Sequence, residues 1–302
     1  MNSVTPPLPS RFVNGAAAAL AYGDAAIRLG GFLMRTDPLA DRVVEWIAEQ
    51  PKGVGWEMIS RATTLGIQRV QDAPAPLREF FQSVETTPTW VDWKTIERGG
   101  ELLLRSGALG GIVLGARSLV MGYASPGGNK PLALTGRLEE QAPRRLNETA
   151  RFVHAVSVKG GMRPFAEGNR ITIKVRLMHA QVRRMLLKSD KWHTEKWGIP
   201  INQHDMVATT LLFSKTVIDG LRILGMNISR DEAEDSLHLW KYVGYLIGVE
   251  EELLPATERE ATRVADIILA TQGDPDEDSK ALTRALLRSP VEEQGDNPNA
   301  RC

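Results

Sequence analysis

His179 lies in the run Lys174-Val175-Arg176-Leu177-Met178-His179-Ala180-Gln181-Val182-Arg183-Arg184. At 100° per residue, Val175, His179, Val182 and Leu186 share one stripe, so the imidazole is set into an apolar helix face. Arg176 and Arg183, three residues before and four after, border that face. A neutral imidazole with an apolar surround and cations at its edge meets the needs of a haem: an axial nitrogen, a greasy wall and partners for the propionates. The same pattern describes a histidine merely hydrogen-bonded in a core, and this helix alone leaves both readings open. A second stripe, Arg145, Thr149, Phe152 and Val156, puts a guanidinium and a hydroxyl among apolar groups, with Glu148 about one turn beyond Arg145. Arg145 and Glu148 could equally form a surface pair worth a few tenths of a kcal/mol.

The elements that position these groups read as helices nearly throughout. Asp37-Pro38 starts one that runs to Glu49, ahead of the turn Gln50-Pro51-Lys52-Gly53. Helices are expected over Trp56–Val70, after Pro76, and over Trp90–Ala124, the last apolar and softened by Gly99, Gly100, Gly107, Gly110, Gly111 and Gly115. Pro126 to Pro131 is a loop. Beyond it the pattern predicts helices over Gln141–Lys159, Ile171–Ser189, Asn202–Gly225 (with Asn202 as N-cap), Ser229–Gly248, Thr257–Gln272 and Asp278–Leu287. Only Ile171-Thr172-Ile173-Lys174-Val175 alternates like a strand, and it continues into a helical stripe. The expected fold is all-α: a single helical domain over residues 13–290, a flexible N-terminus over 1–12 and a disordered polar tail over 291–302.

Composition narrows the function classes. Lys+Arg and Asp+Glu both number 37, so no global charge draws the chain to nucleic acid or anionic lipid. The one cysteine, Cys302, is the last residue, which excludes disulfide frameworks, zinc clusters and iron–sulfur sites. No secretory or twin-arginine signal opens the sequence. The most lipophilic stretch, Gly107–Met121, is too short to span a bilayer and contains Arg117, so a soluble cytoplasmic protein is expected. His154, His193, His204 and His238 form no metal pair at ligand spacing. His204-Asp205 reads as a capping feature, and His238 points to the core or, as the alternative, to a second axial role.

The two stripes, in order, resemble the haem-dependent oxygenase family of the bacterial latex-clearing proteins (rubber oxygenases) and the fungal mycophenolic-acid-pathway oxygenase. Its Arg-x-x-x-Thr helix followed by an Arg-x-x-His-Ala-x-x-Arg helix is matched here by Arg145 and Thr149, then Arg176, His179-Ala180 and Arg183. Asp37-Pro38-Leu39-Ala40-Asp41, Thr135-Gly136-Arg137-Leu138, Gly198-Ile199-Pro200-Ile201-Asn202-Gln203 and the block Trp240–Val249 add to the likeness, which spans Asp37 to Gln272.

The resemblance implies a globin-like core around one haem b, with His179 as the proximal iron ligand through Nε2. Arg145, Glu148 and Thr149 would be the distal catalytic groups. Arg176 and Arg183 would pair with propionates or hold the proximal helix. Where the latex-clearing proteins carry an iron-capping lysine before the threonine, this chain has Glu148, which implies an open or water-bound distal site and a carboxylate able to act as general base. Glu139 and Glu140 are alternative acids. The implied reaction is O₂ insertion across, or cleavage of, a carbon–carbon double bond in a hydrophobic alkene, a terpenoid or unsaturated lipid rather than an exported enzyme's polymer. O₂ and an external electron donor are the partners expected, with no nucleic acid and no transmembrane segment. The alternatives from other classes are a non-catalytic haem sensor and a helical lipid-binding module.

Overall fold

Capping side chains mark where the helices begin, in a computed structural model that describes residues 7–135 and 142–295, with side chains placed to residue 288. In chain order the helices are α1 (Gly15–Tyr22), α2 (Asp24–Gly31), α3 (Pro38–Glu49), α4 (Val54–Leu65), α5 (Ala75–Glu85), α6 (Trp93–Val113), α7 (Val120–Tyr123), α8 (Lys130–Thr135) and α9 (Ala142–Ser157). There follow α10 (Glu167–Leu187), α11 (Thr194–Trp197), α12 (Gln203–Phe213), α13 (Lys215–Ile223), α14 (Arg230–Ile247), α15 (Glu258–Thr271) and α16 (Glu277–Gly295). Asp37 caps α3 by accepting from the Ala40 N–H, with Pro38 in the first turn, where its missing N–H costs nothing. Ser229 with Glu232 and Thr257 with Glu260 form reciprocal capping boxes at α14 and α15. Among the described residues no strand forms; one isolated antiparallel bridge joins Phe12 and Gln272.

Several expected boundaries move. The helix expected over Trp56–Val70 ends at Leu65, where Gly66 takes φ +90, and a short 3-10 turn over Ile67–Arg69 follows. The long apolar helix kinks at Gly107 (φ 52, ψ −128) and loosens into a π-turn over Leu114–Leu119 before α7. The helix expected over Asn202–Gly225 is broken at Ser214 (φ −111, ψ −88) into α12 and α13. Residues 7–12, expected to be flexible, are pinned instead. The Ser10 and Arg11 N–H groups donate to the Glu195 and Lys196 carbonyls at 3.0 Å, and the Phe12 ring fills the space over Gly15 and Gly30. At the other end α16 continues to Gly295, past the start of the expected tail. Gly136-Arg137-Leu138, Glu139, Glu140 and residues 296–302 lie outside the described residues.

The core has two lobes that share α14. Leu239, Trp240, Tyr242, Val243 and Leu246 of α14 pack with α3, α4, α5, α9 and α10, while Ala233 and Leu237 pack with α2, α6, α12, α13 and α15. Leu103, Leu114 and Tyr245 touch both lobes and join them. Trp93–Tyr123 passes, by length and composition, as apolar enough to cross a membrane, longer than the stretch singled out in the sequence. Its first half is nevertheless packed tightly within the fold. A Cβ at Gly99 would stand 2.2 Å from the Asp235 carbonyl oxygen of α14, and one at Gly100 would stand 2.0 Å from the Ser157 carbonyl oxygen of α9. Helix propensity favours Gly→Ala by about 1 kcal/mol. Forcing two backbones apart costs about 3 kcal/mol. Gly100→Ala is therefore expected to lower Tm, whereas Gly111→Ala, where a Cβ meets nothing within 4 Å, should raise it; thermal denaturation of the two variants checks both signs.

Candidate functional site

His179 sits midway along α10 and is enclosed by protein, yet part of its surface stays accessible. Its Nδ1 is buried and has no hydrogen-bond partner. Burial and the Arg183 cation, against a smaller pull from Asp37, hold the imidazole pKa down at about 4. The ring is therefore neutral near pH 7, with a lone pair free to ligate. The flank it occupies, with Ile171, Val175 and Val182, is half-buried. The fully buried face of α10 lies to one side, through Thr172, Ile173, Arg176, Leu177, Ala180 and Arg183.

The two arginines bolt α10 to the first turn of α3. Arg176 is 7% exposed and makes a bidentate pair with Asp37, Nε to Oδ2 at 2.6 Å and Nη2 to Oδ1 at 2.8 Å, with its guanidinium 5.1 Å from the Phe80 ring centre. Arg183, 1% exposed, pairs with Asp41 and donates to the Pro200 and Ile201 carbonyls at 3.1 and 2.8 Å. Such forked donors are what a planar guanidinium supplies and a lysine does not. Both guanidiniums are thus engaged in tethering the helix, to α3 and to the segment that follows α10. Asp37 and Asp41 are the site residues the sequence reading missed. Their four-residue spacing, matched to arginines seven apart on another helix, was the available signal.

The segment after α10 is tied as firmly. Ile199 N–H donates to the Leu33 carbonyl at 2.9 Å, and Gln203 bridges the Thr36 and Gly248 carbonyls and the Glu250 N–H. Gly248 ends α14 at φ +97, and a Cβ there would fall 2.4 Å from Asp37 Oδ2 and 2.6 Å from Arg176 Nε. These links bring Asp37–Asp41, Gly198–Gln203 and the end of α14 together in space. They meet around one buried ion pair.

α9 packs against α10 and carries the second stripe. Arg145, Thr149 and Phe152 are half-buried and Val156 is buried. Phe152 meets Phe213 and Trp240 edge-on, while those two rings stack at 5.1 Å. Arg145 is close enough to Tyr123 of α7 to oppose the upward shift that burial gives the phenol. Glu148 is not brought into this group. Its side chain is 61% exposed and pairs with Arg144 at 2.8 Å, because it falls on the solvent edge of α9 and finds its i−4 neighbour there. His238 is no second axial group either, since its Nε2 accepts the Asp92 N–H at 3.1 Å at the start of α6. Among the described residues no cluster of three or more His, Cys, Asp or Glu could hold a metal ion, which leaves lone-imidazole ligation as the metal chemistry open to His179.

A titration follows from this geometry. With a folded pKa of about 4 against 6.5 unfolded, the unfolded apo-protein takes up the proton first as pH falls. The contribution of His179 is complete above 6.5 and is lost as pH drops toward 4, about 3 kcal/mol in all. Urea unfolding of wild type and His179→Ala at about pH 7 and about pH 4 should show a shallower decline in the variant.

An all-helical fold with one neutral imidazole ligand candidate, flanked by tethered arginines and a polar-apolar neighbouring helix, defines the class. Residues 104–300 match the family model described as ER-bound oxygenase mpaB/B'/Rubber oxygenase, catalytic domain, and the chain belongs to that family. It is 28% identical over 220 residues to the Rubber oxygenase of Streptomyces sp. (strain K30), covering 71% of this chain and 53% of that protein. The chain thus spans about half the length of that curated relative. Its fold is that of the latex clearing protein LCP solved in the closed state, at a TM-score of 0.72 and 23% identity over 85% of this chain and 70% of that one.

Proposed function

We propose that the protein is a haem-b-dependent oxygenase that inserts O₂ across, or cleaves, a carbon–carbon double bond of a hydrophobic alkene, with His179 as the axial ligand. The observation that carries this reading is the neutral imidazole of His179, set among protein with part of the residue still accessible, whose buried Nδ1 has no protein partner. The residues present fit the group: an imidazole donor with an unpaired buried Nδ1, and the half-buried aliphatics Ile171, Val175 and Val182 beside it. Bound haem would supply activation of dioxygen. The chain's own part is to position and to exclude water. The Asp37–Arg176 and Asp41–Arg183 pairs hold α10 so that the imidazole keeps one orientation. Arg145 and Thr149 offer hydrogen-bond donors from a face otherwise lined by Phe152 and Val156. Glu148, paired with Arg144 in solvent, is left out of the proton step. Family membership and the name of the Streptomyces relative support an alkene substrate; terpenoids and unsaturated lipids are the class proposed.

Purified protein should show a Soret band and consume O₂ with a panel of terpenoid and unsaturated-lipid alkenes, yielding aldehydes or ketones by mass spectrometry. A Soret band with no O₂ uptake on any alkene would make the protein a haem sensor, and protein that takes up no haem would make it a helical lipid binder. Either result overturns the proposal.

A further inference from the structure

A second site lies between α7, α12 and α15. There a cavity of about 100 Å³ is lined by Met121, Leu211 and Ile268 on its apolar side and by His204, Ser125 and Gln272 on its polar side. His204 is 8% exposed, and neither ring nitrogen has a hydrogen-bond partner. Its Nδ1 stands 3.6 Å from Asp205 Oδ1, too far for a hydrogen bond. Asp205 is instead satisfied by Arg11, by Asn202 Nδ2 at 2.8 Å and, through its own N–H, by Asn202 Oδ1 at 2.9 Å. Arg11 Nη1 is likewise buried without a partner, and Arg11, Ser125, His204 and Gln272 also line a smaller cavity beside the first. A buried polar group left unsatisfied costs free energy, so an imidazole that lines a cavity with both nitrogens unpaired calls for an oxygen atom beside it.

We propose that this cavity is a small-molecule site for a short aliphatic chain ending in a neutral hydroxyl or carbonyl oxygen. The apolar wall takes the chain, and about four to six non-hydrogen atoms fit, by comparison with the cavity volume that admits benzene. The head must be neutral. Arg11 already neutralises Asp205, so a carboxylate head would lie against that lining carboxylate, and an ammonium head would give up its water for a carboxylate whose charge is already paired. The imidazole, itself uncharged because burial lowers its pKa, gives its N–H to a carbonyl, or meets a hydroxyl through either its N–H or its lone pair. The site is independent of the haem reading, since no lining residue belongs to α9 or α10.

The test is a titration of the purified full chain with 1-pentanol, 2-pentanone and pentanoate, followed through the ¹⁵N resonances of the His204 ring, assigned by their loss in His204→Phe. Alcohol and ketone should give saturable shifts with millimolar Kd, and pentanoate should bind at least about tenfold more weakly. Ala208→Phe, which fills the cavity from its wall, should weaken pentanol binding at least about tenfold while the circular dichroism stays that of wild type. Absence of a saturable shift with both neutral probes would mean that water alone meets His204 and would overturn the site. Pentanoate binding as tightly as pentanol would overturn the neutral head. The wild-type titration decides even where the filled variant fails to fold.

Discussion

Asp37→Ala is expected to destabilise the protein by about 3–5 kcal/mol, the largest loss from any single ion-pair deletion in this fold. The pair it breaks is 8% and 4% exposed at the two side chains, so the Arg176 guanidinium would be left charged, buried and short of two hydrogen bonds. Asp37 also caps α3, and losing the cap adds about 1 kcal/mol. Asp37→Asn keeps an oxygen for the cap and separates the two contributions. The double variant Asp37→Ala with Arg176→Met should recover most of the loss, because removing both charges leaves nothing uncompensated. Urea denaturation of wild type, Asp37→Ala, Arg176→Met and the double variant measures the coupling. Additive single and double effects would show that the pair does not act as a unit. An exposed pair such as Arg144–Glu148, by contrast, is worth less than about 1 kcal/mol.

On the proposed axial role, His179→Ala is expected to fold and to retain no haem. The side chain is only partly enclosed on a helix held by its neighbours, so its truncation leaves the Arg176 and Arg183 tethers in place. Removing a ligand's outer-shell partner already costs 10–100-fold in metal affinity, so deleting the ligand should cost about a hundredfold or more. The Soret absorbance per mole of protein, after gel filtration, gives the answer. Adding free imidazole to His179→Gly should restore the band, because the small molecule occupies the space and supplies the same nitrogen. Unchanged haem content and an unchanged spectrum in His179→Ala would remove the residue from the axial role.

The helical periods and caps were legible from residues alone because each depends on neighbours within a turn. Asp37-Pro38, Asn202 and Ser229 open helices where expected, each with its side chain on the N–H that the helix leaves unpaired. Breaks were less legible. Ser214 and Gly107 interrupt apolar runs that read as continuous, since a kink is decided by what the two halves pack against. The N-terminal residues 7–12 look unstructured locally, and much of what orders them is distant in sequence: the Glu195 and Lys196 carbonyls and the Asp205 carboxylate.

By itself the sequence determined an all-helical chain, a neutral-looking imidazole on an apolar flank, and the ordered motifs that place it in its family. Only the tertiary structure decided which charged groups are functional candidates and which are structural. Arg176 and Arg183 became tethers because Asp37 and Asp41 come beside them from another helix. Glu148 was sent to solvent by a rotation of one residue position along α9. His204, a capping residue by local pattern, became a buried group facing a cavity built by three helices distant in sequence. The physical reason is common to all of them: a charge or an imidazole takes its role from the dielectric and the partners around it, and long-range packing sets both.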